Sequence, residues 1–163
     1  MSRHRLQRNY GPRIKEFTHL GLDYVTIENE KLRFGILAGK GTDVVELNYK
    51  PMDLDFAWLT PGGVRNPVEN YNSLPDGLAT FTDSYPGGWQ EIFPNGGLAS
   101  TAHGASFGQH GEVCTLPWDY TVRDDSDQLV SVDFSVRTMK TPFRIVKNMA
   151  LATNSTTLNL SET

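Results

Sequence analysis

The chain has 163 residues, of which 38% are hydrophobic and 21% are charged, and its net charge at pH 7 is −4. This composition suits one globular domain with a substantial core and excludes an intrinsically disordered chain. The acidic balance argues against a nucleic-acid partner, and no stretch approaches the roughly 20 apolar residues of a membrane helix.

The N-terminal residues and the cysteine count indicate a compartment. "MSRHRLQR" is basic and has no apolar run behind it, so it predicts a flexible basic N-terminus over residues 1–13 rather than a secretory signal. Cys114 is the one cysteine, so an internal disulfide is excluded, and no Cys/His spacing suits zinc. We therefore expect a cytoplasmic protein without a metal ion or a cofactor.

Alternating apolar residues predict β-strands in the first third of the chain. The segments are LDYVTIEN (22–29), KLRFGIL (31–37) and DVVELNY (43–49), and the glycine-rich turn AGKGT joins the last two. Asp43 follows this turn and is expected to be a turn residue. FAWL (56–59) is a short apolar run before TPGG.

The middle of the chain, residues 61–106, is rich in Pro, Gly, Asn and Asp. This composition predicts loops with at most short strands, such as LATFT (78–82). No segment of the sequence has a convincing helical period, so we predict no helix.

Period-two alternation returns in the last third and completes an all-β pattern. EVCTLPWDYTVRDD (112–125) predicts one or two strands broken at Pro117. Three further strands are expected in QLVSVDFSVRTM (128–139), PFRIVKNMALA (142–152) and TTLNLSE (156–162), with DDSD as a hairpin turn. The fold class predicted is an antiparallel β-sandwich with one face of each sheet buried. The last strand has no closing turn, so we expect an edge that another chain or further sequence covers.

The irregular segment 85–120 has the composition of a sugar site. Trp89 and Trp118 offer flat apolar faces for the C–H side of a pyranose ring. A few placed polar groups on an apolar wall are typical of small-ligand pockets. The polar candidates are Gln90, Glu91, Asn95, His103, His110 and Glu112.

Two motifs in this segment resemble the aldose 1-epimerase, or galactose mutarotase-like, superfamily. They are "PGGWQEIFPNGG" and, after it, "GQHGEVCTLPWDY". The run from "YVTIENEKLRFG" to "DLDFAW" is similar to the family's opening strands, so the resemblance covers residues 14–163. It implies part of a β-supersandwich, with the site on a concave sheet face. Family members are about twice as long, so this chain resembles their N-terminal half.

The resemblance implies an isomerase that interconverts sugar anomers by acid/base ring opening. His110 matches a histidine that contacts the sugar near the ring oxygen, so it is the predicted catalytic residue. The family's principal acid and base would lie beyond Thr163, so we expect this chain alone to be inactive. Glu112 is the nearby carboxylate that could substitute as the base. The predicted partner is a monosaccharide or sugar derivative, and a homodimer or a missing C-terminal half would complete the fold.

Each candidate also has a purely structural interpretation. His110 and His103 could be loop histidines bonded to the backbone, and the two tryptophans could belong to the core. Arg65 either matches a sugar-binding arginine or is a solvated loop residue. Glu91 could order its loop by accepting backbone N–H groups, and Cys114 is interpreted as a small buried hydrophobe rather than a nucleophile.

Two other functions stay open at this point. A non-catalytic carbohydrate-binding module of the same fold would keep the tryptophans and His110 and lose the acid/base pair. A cupin-type sandwich would need a His-x-His pair for its metal, and the spacing of His103 and His110 does not supply one. A sugar titration separates both sugar-binding interpretations from the cupin, and an anomer-exchange assay separates the enzyme from the module.

Overall fold

The computed structural model describes residues 8–69 and 77–163, in which antiparallel strands form nearly all of the regular structure. The strands are β1 (Arg13–His19), β2 (Leu22–Glu28), β3 (Leu32–Leu37), β4 (Asp43–Tyr49), β5 (Leu54–Asp55), β6 (Ser100–Ala102), β7 (Ala105–Phe107), β8 (Asp119–Asp125), β9 (Leu129–Arg137), β10 (Arg144–Ala152) and β11 (Leu158–Glu162). The helical elements are α1 (Gly77–Thr82) and a 3₁₀ turn over Lys50–Met52.

The strands form two larger sheets and a separate hairpin. β1 to β5 make a five-stranded sheet in sequence order, β8 to β11 make a four-stranded sheet in the order β11-β10-β9-β8, and β6 pairs with β7. Every strand pairs with a neighbour in sequence, because short turns suffice to join antiparallel strands. This topology confirms the predicted all-β, antiparallel sandwich.

The main core lies between the two sheets and follows from the alternation seen in the sequence. Ile27 and Phe34 are cross-strand partners on the five-stranded sheet, and both are buried. Phe134, Met149 and Leu151 line the facing side of the four-stranded sheet with no exposed surface. Burial of each such side chain contributes roughly 1.5–3 kcal/mol to the stability of the folded chain.

Asn29 links the two sheets at one end of the sandwich. Its side-chain amide donates to the carbonyl oxygens of Ala152 (2.7 Å), at the end of β10, and Ser155 (2.8 Å), in the turn before β11. Its side-chain oxygen accepts from the N–H groups of Lys31 (2.8 Å) and Leu32 (2.7 Å). The turn between β2 and β3 is therefore bonded directly to the opposite sheet.

Several local predictions differ from the structure. LATFT forms α1 and not a strand, and the prediction that the chain has no helix is therefore wrong. Phe81 is buried, while Leu78 and Thr82 on the same helix are exposed. The Ser84 hydroxyl donates to the carbonyl of Thr80 at 2.8 Å, which stabilises the end of the helix.

Other elements were missed or shifted. β1 and the β6–β7 hairpin were not predicted as strands, and within FAWL (56–59) the structure has only an isolated bridge between Leu59 and Gly87. Residues 112–116 form turns, so EVCTLPWDYTVRDD contains the single strand β8.

Of the predicted flexible terminus, residues 1–7 lie outside the described part of the chain. Arg8 pairs with Asp125 and donates to the carbonyl of Pro12 at 3.0 Å.

The last strand lies at the edge of the four-stranded sheet. β11 pairs with β10, and in the described residues it has no strand on its other side. Leu160 is 37% exposed although its cross-strand partner Met149 is fully buried. The predicted open edge is therefore present. Across residues 8–69 and 77–163, no helix is long and apolar enough to cross a bilayer.

Candidate functional site

The segment that contains Trp89 is attached to the start of β4, beyond the short strand β5, by backbone hydrogen bonds. The Val44 N–H donates to the Trp89 carbonyl at 2.8 Å, and the Trp89 N–H donates back at 3.0 Å. The Gly88 N–H donates to the Trp58 carbonyl at 2.7 Å. These bonds place Trp89 beside the chain that leaves β5.

The two chains enclose a pocket that we call the aromatic groove. Its volume is about 250 Å³. Three of its aromatic side chains are largely open to solvent: Phe56 is 63% exposed, Trp58 66% and Trp89 41%. The groove is lined by Val44, Leu47, Phe56, Ala57, Trp58, Tyr85, Gly88 and Trp89. Exposed aromatic surface around a concavity is typical of a ligand-binding surface.

The residues after Trp89 point to buried charges rather than to the groove. The Gln90 amide donates to Oδ2 of Asp43 at 3.1 Å, and Nζ of Lys40 lies 2.5 Å from the same oxygen. Asp43 is fully buried and Lys40 is 1% exposed. Burial raises the pKa of Asp43, and Lys40 opposes that rise. The Asp43 N–H donates to the Lys40 carbonyl at 3.3 Å, which closes the expected turn, and its carboxylate in addition accepts bonds from two buried or half-buried side chains.

A second buried ion pair lies close to the first. Nζ of Lys147, on β10, is 3.2 Å from Oε2 of Glu91 and 5.4 Å from the centre of the Trp118 ring. Lys147 is 1% exposed, and this burial lowers its pKa while Glu91 opposes the shift. Glu91 therefore holds its loop by pairing with a lysine, and not by accepting backbone N–H groups as one interpretation of the sequence supposed.

His110 is held by its neighbours on both ring nitrogens. The Gly97 N–H donates to Nδ1 at 3.2 Å, and Nε2 lies 3.3 Å from Nε2 of Gln109. Oε1 of Gln109 is buried without a partner, so turning this amide over gives the proton on Nε2 an acceptor. The tautomer with its proton on Nε2 fits both contacts of the ring, since Nδ1 accepts from the Gly97 N–H.

His110 does not line the aromatic groove. Its ring contacts Phe81 edge-on, with ring centres 4.4 Å apart, and Phe81 stacks on Tyr85 at 5.3 Å. Tyr85 lines the groove, so Phe81 connects the ring of His110 with a residue of the groove. The backbone of His110 is left-handed, with φ of 62°, and Gly111 beside it leaves room for the Phe93 carbonyl, which a Cβ would approach to 2.0 Å.

Trp118 and Glu112 have structural partners. Trp118 is 4% exposed, and its indole N–H donates to the Val113 carbonyl at 3.0 Å, so its ring is part of the core and offers no open face. Glu112 is 8% exposed and accepts the N–H groups of Met139 (2.9 Å) and Lys140 (3.3 Å). Its carboxylate holds the turn after β9 instead of standing in an open cleft.

The other candidates lie apart from one another. His103 is exposed at the tip of the β6–β7 hairpin, where its φ is 49°. The Asn95 amide donates to the carbonyls of Leu98 (3.2 Å) and Gly108 (3.1 Å), which closes its own loop. Arg65 is exposed and donates to the Asp83 carbonyl at 3.3 Å. Among the predicted site residues, Trp89 is the one that the aromatic groove contains.

Sequence reasoning missed two groups of residues. Phe56 and Trp58 lie in FAWL, where a short apolar run gives no sign that two of its aromatic rings are exposed. Lys147 had a usable signal, because it occupies the same strand face as Met149 and Leu151 and therefore had to point inward. Within the described ranges, no cluster of three or more His, Cys, Asp or Glu side chains could hold a metal ion.

The two packed antiparallel sheets define a galactose mutarotase-like β-sandwich fold. The comparison that shows this is with a solved structure, a galactose mutarotase-like protein from Lactobacillus casei ATCC 334, at a TM-score of 0.50 and 20% sequence identity. The match covers 84% of this chain and 42% of that one, so the chain spans less than half of the length of that protein. No family model and no curated protein matches the sequence.

Proposed function

We propose that this chain binds a monosaccharide or sugar derivative in the aromatic groove. The observation that carries the proposal is the pair of exposed rings, Trp58 and Trp89, facing a concavity of about 250 Å³ in a mutarotase-like fold. This volume is below the roughly 300–1,000 Å³ typical of pockets for drug-sized ligands, so it suits a single small ring.

The chemistry of the groove fits the two sides of a sugar. The C–H face of a pyranose packs against flat apolar rings, and the indole N–H groups of Trp58 and Trp89 and the hydroxyl of Tyr85 are hydrogen-bonding groups on the lining residues. A groove open on one side leaves the remaining hydroxyl groups in water. Binding would therefore depend on stacking area more than on buried polar contacts.

The finer proposal is that a longer protein with this fold interconverts anomers, with His110 as a catalytic residue. The resemblance of "GQHGEVCTLPWDY" to the mutarotase-like motif supports it. A histidine whose Nδ1 accepts a hydrogen bond, as that of His110 does from the Gly97 N–H, carries its proton on Nε2 and can donate it to a ring oxygen once a sugar replaces Gln109 as the partner. The acid/base partner would come from outside this chain, so we expect no catalysis by the chain alone.

A non-catalytic carbohydrate-binding module is the second candidate, and the position of His110 favours it. Phe81 contacts both His110 and the groove residue Tyr85, His110 itself does not line the groove, and the Gly97 N–H occupies Nδ1. A sugar stacked on Trp89 would therefore be held without contacting an acid or a base from the described residues.

Saturation-transfer NMR with common aldoses tests binding, with the wild type, Trp89→Ala, Trp58→Ala and Tyr10→Ala side by side. Tyr10 is 74% exposed and does not line the groove, so Tyr10→Ala is the matched control. We expect the two groove variants to lose most of the transfer and the control to keep it. Equal signals in all four proteins, or no transfer in the wild type, would contradict the proposal.

Anomer-exchange NMR on the same samples separates the two candidates. A binding module gives sugar binding without exchange above the buffer rate, and His110→Ala leaves that binding unchanged. Exchange that is faster than in buffer and that is lost in His110→Ala would assign catalysis to this chain. It would also disprove the expectation that the chain alone is inactive.

A further inference from the structure

The last strand ends beside the buried lysine of the neighbouring strand. Glu162, on β11, is the cross-strand partner of Lys147 on β10, and paired residues in a sheet project from the same face. Met149 and Leu151 continue that face into the core. Glu162 therefore approaches Lys147 from β11, while Glu91 approaches it from the segment after Trp89, at 3.2 Å.

The charges around Lys147 do not balance. The two cations that meet here are Lys40 and Lys147, and the three carboxyl groups are Asp43, Glu91 and Glu162. Lys40 is bound to Oδ2 of Asp43 at 2.5 Å, and the Gln90 amide donates to the same oxygen. Lys147 is thus left with two carboxyl groups: Glu91, whose side chain is 17% exposed, and Glu162, which lies on the exposed edge strand. The side chain of Lys147 itself is only 2% exposed.

Two neighbouring carboxyl groups can reduce an excess of negative charge by sharing a proton. Two ionised carboxylates in contact repel each other, whereas one protonated group donates an O–H to the other. We propose that Glu91 and Glu162 share one proton over Lys147. We further propose that this shared proton stabilises the pairing of the end of β11 with β10, so that the pairing depends on pH. The proposal goes beyond sugar binding and does not require it.

The titration of Glu162 agrees with this geometry. Partial desolvation of the Glu162 carboxyl, in a residue that is otherwise exposed, raises its pKa to about 7 together with the hydrogen bond and the charge of Glu91, and Lys147 opposes the rise. Because the folded chain holds this proton more tightly than the unfolded chain, the contribution is fully present below pH 4.5, the ordinary pKa of glutamate. It is lost as the pH rises through about 7.

The loss of the proton would loosen a defined pair of backbone bonds. The Val146 N–H donates to the Thr163 carbonyl at 2.9 Å, and the Thr163 N–H donates to the Val146 carbonyl at 3.1 Å. Both bonds are next to the Lys147–Glu162 pair at the open edge of the sheet. Their opening therefore reports the attachment of the end of β11, while the bonds nearer the turn at Leu158 serve as an internal reference.

Hydrogen exchange measured by NMR between about pH 6 and pH 8 tests the proposal. Protection factors are compared, since they remove the intrinsic pH dependence of exchange. In the wild type we expect the protection factors of the Val146 and Thr163 amides to fall about tenfold between these pH values, because the Glu91–Glu162 pair loses its proton in this range. In Glu162→Gln, which is neutral at every pH, the same protection should not change.

Two further variants keep the test decisive. Glu69→Gln removes an exposed carboxylate in a different loop and should retain the pH dependence of the wild type. Lys147→Met removes the ammonium that opposes the proton and should move the midpoint above that of the wild type. Flat protection in the wild type, an unchanged fall in Glu162→Gln, or a midpoint that does not move in Lys147→Met would each overturn the proposal.

Discussion

Gly88 lies so close to Val44 that an added Cβ atom would be 2.2 Å from the Val44 carbonyl oxygen. The φ angle of Gly88 is 72°, a conformation that side chains rarely adopt. This close approach lets Trp89 and Val44 exchange two backbone hydrogen bonds. A residue without a side chain thus sets the position of the aromatic ring beside it.

Gly88→Ala should therefore displace Trp89 as well as destabilise the fold. The left-handed backbone alone costs roughly 1–2 kcal/mol for alanine, and the contact with a backbone oxygen adds to it. Gly104→Ala is the matched control, because Gly104 has a φ of 79° but open space around it. In urea unfolding, Gly88→Ala should lose at least about 1 kcal/mol more than the control, and equal losses would show that the close approach is unimportant.

The sheets could be predicted from the sequence because each one depends on alternation that is local in the chain. Val130, Val132 and Phe134 recur at every second position and are all fully buried on β9. α1 could not be predicted in this way. Its six residues are too few for a helical period, and the burial of Phe81 against Tyr85 and His110 depends on parts of the chain that meet only after folding.

Only part of the candidate site could be predicted, because the exposure of its rings also depends on segments that meet only after folding. Trp89 was found because tryptophan among glycines is conspicuous, and the structure places it in the aromatic groove. Trp58 was not found, since its exposure depends on how the chain after β5 meets Gly88. Trp118 looks equivalent to Trp89 in the sequence, yet it directly precedes β8 and packs in the core between the sheets.

Removing the amide of Asn29 should separate the two turns that it joins. Asn29→Ala loses four hydrogen bonds and leaves buried backbone groups unpaired, so we expect the free energy of unfolding to fall by about 2–4 kcal/mol. Asn159→Ala, at an exposed position on β11, should change it by less than about 0.5 kcal/mol. Chemical denaturation of both variants measures the difference, and similar losses would contradict the role given to Asn29.

Cys114 should be unreactive in the folded protein. Its side chain is buried, and burial raises the pKa of the thiol to about 11, so thiolate is scarce at pH 8. We expect iodoacetamide to modify it at least about a hundredfold more slowly in the native chain than in denaturant. Thr156→Cys adds an exposed thiol to the same molecule, and mass spectrometry should find that site modified first. Comparable native rates at both sites would mean that the strands around Cys114 open readily.

Glu28 should make the fold sensitive to acid. Burial favours its neutral form, but the Lys50 and Arg13 cations, at 2.5 and 2.8 Å, outweigh burial and hold its pKa below the ordinary value of 4.5. Because the folded pKa is the lower one, the stabilisation is present above pH 4.5 and is lost as the pH falls below it. Glu28→Gln should lose about 2 kcal/mol at pH 7 and converge with the wild type near pH 3. Glu69→Gln should follow the wild type throughout, and a constant gap between Glu28→Gln and the wild type from pH 7 to 3 would show that the loss is one of packing and not of charge.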